Sequence, residues 1–238
     1  MGNCSEKQTI ANETSATEDN GLLGVHPYFE SEAKEMFNSN YALKNSLLCA
    51  SKRIVLASGI YEGQIDGEVA NGYGKLKTDE YEYLGEWKDG KPNGQGELRY
   101  NDGKKYRGGF QDGRPHGQGE MSDLQGFRYK GDFVNGMFEG YGEAAWSNGH
   151  KYIGRFSAGK FDGEGEYNWP DGRVYQGGYK NGKRNGNGAV ISSSGQKVEG
   201  YWLDGKVNGN VMVLKDKQII AKGKFINGKY LSARNIKN

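Results

Sequence analysis

The chain has 238 residues, 34% hydrophobic and 12% aromatic, with 40 glycines, 4 prolines and a net charge of +2. Glycine does not fall at every third position, which excludes collagen, and aromatic residues locked to a regular period argue against a disordered chain. There is no run of about 18 apolar residues to span a bilayer and no apolar signal-peptide core at the start. Two cysteines, Cys4 and Cys49, fit a reducing, intracellular compartment better than a disulfide framework.

The chain opens Met1-Gly2-Asn3-Cys4-Ser5-Glu6-Lys7. Gly at position two with Cys two residues later resembles substrates acylated twice, by myristate on Gly2 and palmitate on Cys4. The sequence departs from that pattern at position six, where Ser or Thr is usual and Glu6 stands, with Ser5 one place early. A lone myristoyl chain binds membranes only marginally, at about 10⁴ M⁻¹, so Cys4 would be the deciding second anchor. Gln8 to Asn20 is polar and without apolar period, as a flexible spacer would be, which makes residues 1–21 a disordered, acylatable leader.

Residues 22–59 read as a helical cap or docking segment ending in an edge strand. Pro27 suits a first helical turn, Glu30, Glu32 and Glu35 lie near the positive end of its dipole, and Phe29, Ala33, Met36 and Phe37 recur at helical spacing. A second short helix is predicted from Tyr41 to Cys49. Arg53 to Ser58 is a predicted strand that covers the first edge of the sheet to follow.

From Tyr61 the chain repeats every 23 residues, with a first interval of 22. Units begin at Tyr61, Tyr83, Tyr106, Tyr129, Tyr152, Tyr175 and Val198, and a half unit begins at Ala221. Within a unit, Tyr-x-Gly-x-aromatic, as in Tyr106-Arg107-Gly108-Gly109-Phe110, places Tyr, Gly and the second ring on one strand face. An Asp-Gly or Asn-Gly turn follows (Asp112-Gly113, Asn181-Gly182), then Gly-x-Gly and a second strand, and a further turn pair hands over to the next unit. Glycines on the ring face leave room for aromatic side chains to cross the backbone. The opposite face carries Glu86, Arg107, Lys130, Arg155 and Glu166 and reads as solvated.

This period and these motifs together resemble the MORN repeat family, over residues 61 to about 230. The resemblance implies an all-β fold: an elongated single-layer antiparallel β-meander of about seven and a half MORN repeats at residues 60–230. A short helical N-terminal segment is expected before it and a basic tail after it at 231–238. At about 4.8 Å per strand the array would be roughly 70 Å long. Val198 in place of Tyr and Val211 in place of the second Gly of Gly-x-Gly are departures expected of a capping unit. For function the resemblance implies scaffolding, with partner proteins or membranes as ligands.

Nothing in the sequence builds a catalytic centre. The roughly 60 non-repeat residues are too few for the lipid kinase or SET methyltransferase domains that accompany MORN arrays elsewhere. Gly-Lys never precedes Ser or Thr, and Gly-x-Gly-x-x-Gly does not occur, so no phosphate loop is predicted. His116 fills a slot held elsewhere by Asn93, Glu139, Asp162 and Asn185 and reads as a loop residue. Cys49 with His26 is not a credible thiol pair. No cofactor or metal is expected.

Binding should lie where units differ. Four residues after the second Gly of Gly-x-Gly, on the ring face, one slot holds Thr78, Tyr100, Asp123, Trp146, Trp169, Ser192 and Lys215. Tyr100, Trp146 and Trp169, with Tyr167 in the strand of Trp169, are the candidate partner-binding residues. Charge supplies a second candidate. Residues 206–238 hold 8 basic side chains against Asp216 alone, whereas residues 1–60 hold 5 basic and 7 acidic. Lys206, Lys215, Lys217, Lys222, Lys224 and Lys229 could meet anionic lipid. Nucleic acid is not indicated, since no RNA-binding aromatic motif, zinc finger or helix-turn-helix pattern is present. The expected protein is a non-enzymatic adaptor at the cytoplasmic face of a membrane or its associated cytoskeleton, binding a protein partner. The alternative is a membrane-apposed spacer that binds anionic phospholipid directly, and a homo-oligomer is compatible with either.

Overall fold

The computed structural model describes residues 52–235, which form 17 strands and, among the described residues, no helix. The acylation motif at Gly2 and Cys4, the predicted helices between Pro27 and Ala50, and the last three residues lie outside them. The chain divides into two compact units at Met137/Phe138. The first holds β1 (Lys52–Leu56), β2 (Gly59–Asp66), β3 (Val69–Lys77), β4 (Tyr81–Lys88), β5 (Lys91–Tyr100), β6 (Lys105–Gln111), β7 (Arg114–Ser122) and β8 (Arg128–Val134). Each pairs antiparallel with the next.

The second unit begins within β9 (Met137–Ala145). It continues through β10 (Lys151–Ser157), β11 (Lys160–Asn168), β12 (Val174–Lys180), β13 (Lys183–Ile191), β14 (Lys197–Leu203), β15 (Lys206–Lys215), β16 (Gln218–Ile226) and β17 (Lys229–Asn235). These strands also pair consecutively. The predicted edge strand is β1, and it pairs with β2 as the first edge requires. At the other end the ladder continues through Asn235, so residues 231–235, read from sequence as tail, complete a strand instead. Their alternation is hidden by a register shift between Lys224 and Phe225.

Two kinds of turn alternate. Within a repeat, two residues in the left-handed region close the hairpin, as at Asp89 (φ 50°) and Gly90 (φ 76°), because that geometry matches the twist of the flanking strands. Ala158 (φ 48°) is, among the described residues, the one alanine held in this conformation. The N–H of the turn glycine bonds back to the preceding repeat, as Gly113 does to the Pro92 carbonyl at 2.9 Å. Between repeats a longer turn ends on a left-handed glycine such as Gly103 (φ 85°).

The deepest row of the core is one tyrosine per repeat. Tyr61, Tyr83, Tyr106, Tyr129, Tyr152 and Tyr175 are essentially inaccessible to solvent. Each phenolic O–H donates to the carbonyl three residues on, for example Tyr106 to Gly109 at 2.8 Å and Tyr152 to Arg155 at 2.9 Å. Burial pushes the Tyr61 hydroxyl up to about 12 and raises Tyr83, Tyr106 and Tyr152 as well. The rings interlock edge to face along each unit. In the first, Tyr83 meets Phe110 at 4.9 Å and Tyr106 meets Phe133 at 4.8 Å; in the second, Tyr152 meets Tyr179 at 5.3 Å and Tyr175 meets Trp202 at 5.2 Å.

To reach its acceptor each tyrosine crosses the neighbouring strand at the second Gly of Gly-x-Gly. A Cβ on Gly119 would stand 2.5 Å from the Tyr106 hydroxyl oxygen. Where the tyrosine is replaced by Val198, that constraint lifts, and Val211 fills the vacated space with 3% exposure. The two valines are therefore one coupled departure. The opposite face carries exposed cross-strand ion pairs such as Lys130–Glu120 at 2.8 Å and Lys151–Glu143 at 2.7 Å, as the alternation predicted.

Candidate functional site

The variable slot proves to be the residue that closes each inter-repeat turn. At Tyr100, Asp123, Trp146, Trp169 and Ser192 its N–H donates to the carbonyl four residues on and its carbonyl accepts from the turn glycine, as with Trp146 to His150 (2.9 Å) and Gly149 to Trp146 (2.9 Å), whereas Thr78 donates to the Tyr81 carbonyl three residues on. Where the slot residue is Thr, Asp or Ser it also caps the turn with its side chain. Thr78 Oγ1 accepts from the N–H of Tyr81 (3.0 Å), Asp123 Oδ1 from Phe127 (2.9 Å) and Ser192 Oγ from Gln196 (2.9 Å).

A ring cannot do this. In the turns closed by Tyr100, Trp146 and Trp169, the cap comes from the residue two places later: Asp102 to Lys104 N–H (2.9 Å), Asn148 to His150 (3.3 Å) and Asp171 to Arg173 (3.1 Å). The aromatic side chains are thus relieved of capping, while their backbone still closes the turn. The cap residues fall on the turn positions Asp102-Gly103, Asn148-Gly149 and Asp171-Gly172, and only the exchange between slot and cap went unread in the sequence.

The structure brings Trp146, Tyr167 and Trp169 together in the second unit. Tyr167 is 8% exposed, so it is the floor of the cluster and not an exposed contact. Its ring lies 4.8 Å from Trp169 and 6.3 Å from both Trp146 and Phe161. Its hydroxyl is 2.9 Å from His150 Nδ1. Burial lowers the His150 pKa, with Asp171 opposing and Arg173 reinforcing the shift. The imidazole is then neutral at pH 7, and it shares one hydrogen bond with the Tyr167 hydroxyl. Trp146 and Trp169 are half-buried.

Two guanidinium groups flank Trp169. Arg173 lies 5.4 Å from its ring centroid and Arg184 6.0 Å. Arg173 Nε is paired with Asp171 Oδ2 at 2.7 Å; burial pushes the Asp171 carboxyl up, but the hydrogen bonds and charge of Arg173 together outweigh it and hold the carboxyl below the usual range. Sequence reasoning missed His150, Arg173 and Arg184. Comparing units at their positions was the available signal, because Arg184 stands where other units hold Pro92, Pro115 or Phe161.

Tyr100 belongs to the first unit and makes a smaller version of the same arrangement. Its ring is 6.0 Å from Tyr81, with Lys104 Nζ 5.8 Å from its centroid. The six candidate lysines are all exposed. Lys206 and Lys229 open β15 and β17 just after two-residue turns, while Lys215 and Lys217 flank Asp216 at the far end of β15. Only Lys222 and Lys224 share a strand face, with Ile220 and Ile226 exposed beside them in β16.

His116 falls in β7 and not in a loop, and its Nδ1 is buried without a hydrogen-bond partner. Equivalent residues in other units reach the next turn, as Asp162 does to the Asn181 N–H at 3.0 Å. Among the described residues no group of three or more His, Cys, Asp or Glu is placed to hold a metal ion.

A family model described as MORN repeat matches residues 83–105, 106–123, 129–151, 152–172 and 175–197. Residues 83–197 are an array of MORN repeats. Those five consecutive segments hold Tyr100, Trp146, Tyr167 and Trp169, so the candidate residues are substitutions within matched MORN repeats. MORN repeats are a non-catalytic family, consistent with a protein- or lipid-binding scaffold. No curated protein matches this MORN-repeat chain. Among solved structures, the SAS-4 (dCPAP) TCP domain of Drosophila melanogaster, in complex with a proline-rich motif of Ana2 (dSTIL), aligns at a TM-score of 0.38 and 12% identity. The alignment covers 85% of this chain and 97% of that one, and at this TM-score it carries no argument.

Proposed function

We propose that this MORN-repeat chain is a non-enzymatic scaffold that docks a partner protein on the ring cluster of its second unit, tethered through Gly2 and Cys4 to the cytoplasmic face of a membrane. One observation carries the docking reading: in the turns closed by Tyr100, Trp146 and Trp169, capping has passed to Asp102, Asn148 and Asp171. Large rings at these slots therefore serve something other than turn closure. Half-exposed tryptophans beside cations are the residue types that anchor interfaces. Capture of the partner by the full chain should fall at least tenfold in a Trp146→Ser/Trp169→Ser variant that melts like the parent. Unchanged capture would reject the site.

A second reading concerns anionic phospholipid. It is favoured by β16, where Lys222 and Lys224 stand side by side between exposed Ile220 and Ile226 on one face. Lysines flanked by aliphatic side chains suit a charged lipid surface. Vesicles containing phosphatidylserine should bind the full chain at low salt and release it at about 0.5 M salt, where screening is nearly complete. A Lys222→Gln/Lys224→Gln variant that binds as well as the parent would remove this reading.

A further inference from the structure

Arg184 breaks the packing rule of the array. Its position lies directly opposite the second ring of each repeat, where Trp87 faces Pro92, Phe110 faces Pro115, Phe156 faces Phe161 and Trp202 faces Val207. Among such pairs of described residues, Tyr179 alone faces a charge. The Arg184 guanidinium lies 5.5 Å from the Tyr175 ring and 6.0 Å from Trp169, and its Nη2 donates to the Gly205 carbonyl at 3.2 Å. Its Nε is buried without a hydrogen-bond partner, and Arg184 takes part in no ion pair with any described residue.

The neighbouring cation is already answered, since Asp171 neutralises Arg173. Among the described residues the cluster is left with one uncompensated guanidinium, held near two rings, and a partly buried charge without a counter-ion is costly. A carboxylate is the group whose geometry matches the guanidinium fork. Trp146 and Trp169 sit one repeat apart, about 10 Å along the sheet, a distance that roughly three residues of extended peptide span.

We propose that the Trp146, Trp169 and Arg184 cluster docks an extended acidic segment of a partner protein, with a carboxylate on Arg184 and a neighbouring apolar residue across the two indoles. This rests on the docking reading and names the chemistry of its partner.

The test is selection of random dodecapeptides displayed on phage against the full chain, with an Arg184→Met variant and the Trp146→Ser/Trp169→Ser variant in parallel. The parent is expected to enrich peptides with Asp or Glu within three residues of an apolar side chain. The affinity of the best peptide should fall at least tenfold in Arg184→Met or when its carboxylate becomes an amide, and the two changes together should cost no more than either alone. Peptides without acidic preference, or equal binding by Arg184→Met, overturn the proposal. If binding then still depends on the tryptophans, docking survives and only the acidic partner is lost; if the tryptophan variant also binds normally, docking itself fails. Enrichment of sequences matching residues 1–51, or self-association abolished by Arg184→Met, would place this chain in its own cluster and equally overturn the proposal.

Discussion

The crossing of Tyr106 over Gly119 offers the sharpest test of the packing. Gly119 has no left-handed φ, so a side chain there meets only steric resistance. Its Cβ would lie 2.5 to 2.7 Å from the hydroxyl, Cε2 and Cζ of Tyr106. The ring is held by its bond to Gly109 and by Phe110 and Phe133, at 5.1 and 4.8 Å. Overpacking costs roughly 1–3 kcal/mol, and displacing the ring forfeits a hydrogen bond of about 1 kcal/mol and ring contacts of about 1 kcal/mol. Gly119→Val should therefore cost about 4 kcal/mol. Tyr106→Val should also cost about 4 kcal/mol, as a large-to-small core change.

Together the two substitutions recreate the natural Val198 and Val211 pair. The double variant should then cost about 5 kcal/mol and not about 8, a coupling of roughly 3 kcal/mol, the upper end for contacting residues. Urea unfolding followed by both circular dichroism and tyrosine absorbance measures this, and non-coincident probes would reveal stepwise loss of repeats. Additivity within about 0.5 kcal/mol would refute the claim that ring and glycine form one unit.

Ala158 pays a left-handed penalty that its counterparts Asp112 and Asn181 reduce, so Ala158→Asn should raise stability by about 0.5–1 kcal/mol in the same urea assay. Burial lowers the His150 pKa below its unfolded value, so the unfolded chain takes up the proton first. Stability is then full above about pH 6.5, falls as pH drops through that value and levels off below the folded pKa. His150→Gln should flatten the urea midpoint between pH 7.5 and 5, and an unchanged slope would remove His150 as the cause. Raised tyrosine pKa values work at the other extreme: stability should fall above about pH 10, with the buried rings ionising only on unfolding, as seen by absorbance near 295 nm. Intact mass of the native protein should show acyl groups on Gly2 and Cys4, and Gly2→Ala should move it to the soluble fraction.

Most of the fold was legible because its rule is local and repeated. Tyr106, Gly108 and Phe110 share a face by alternation alone, and Asp112-Gly113 can hardly be anything but a tight turn. The final strand was less legible, since β17 follows a register shift and lacks the Tyr and Gly-x-Gly marks that set the frame. At the candidate site, Trp146 and Trp169 stood out as departures from a polar slot. Tyr167 could not be known as buried, because its row is filled by Leu98, Met121 and Ala144 in other units and only packing decides how deep a ring lies there. Arg184 was hidden for a related reason: its meaning comes from Trp169 and Tyr175, which lie on different strands.

The central claim is that the array folds by its tyrosine and glycine rows and binds by its variable slots, so that binding can be removed without unfolding. Partner capture by the Trp146→Ser/Trp169→Ser chain, quantified by mass spectrometry against the parent alongside thermal melts of both, tests it most directly. The account predicts at least a tenfold loss of the partner with a melting temperature lowered by no more than about 4 °C, as expected for a change near 1 kcal/mol in a chain of this size. Retained partner, or loss of partner that only accompanies loss of fold, would contradict it.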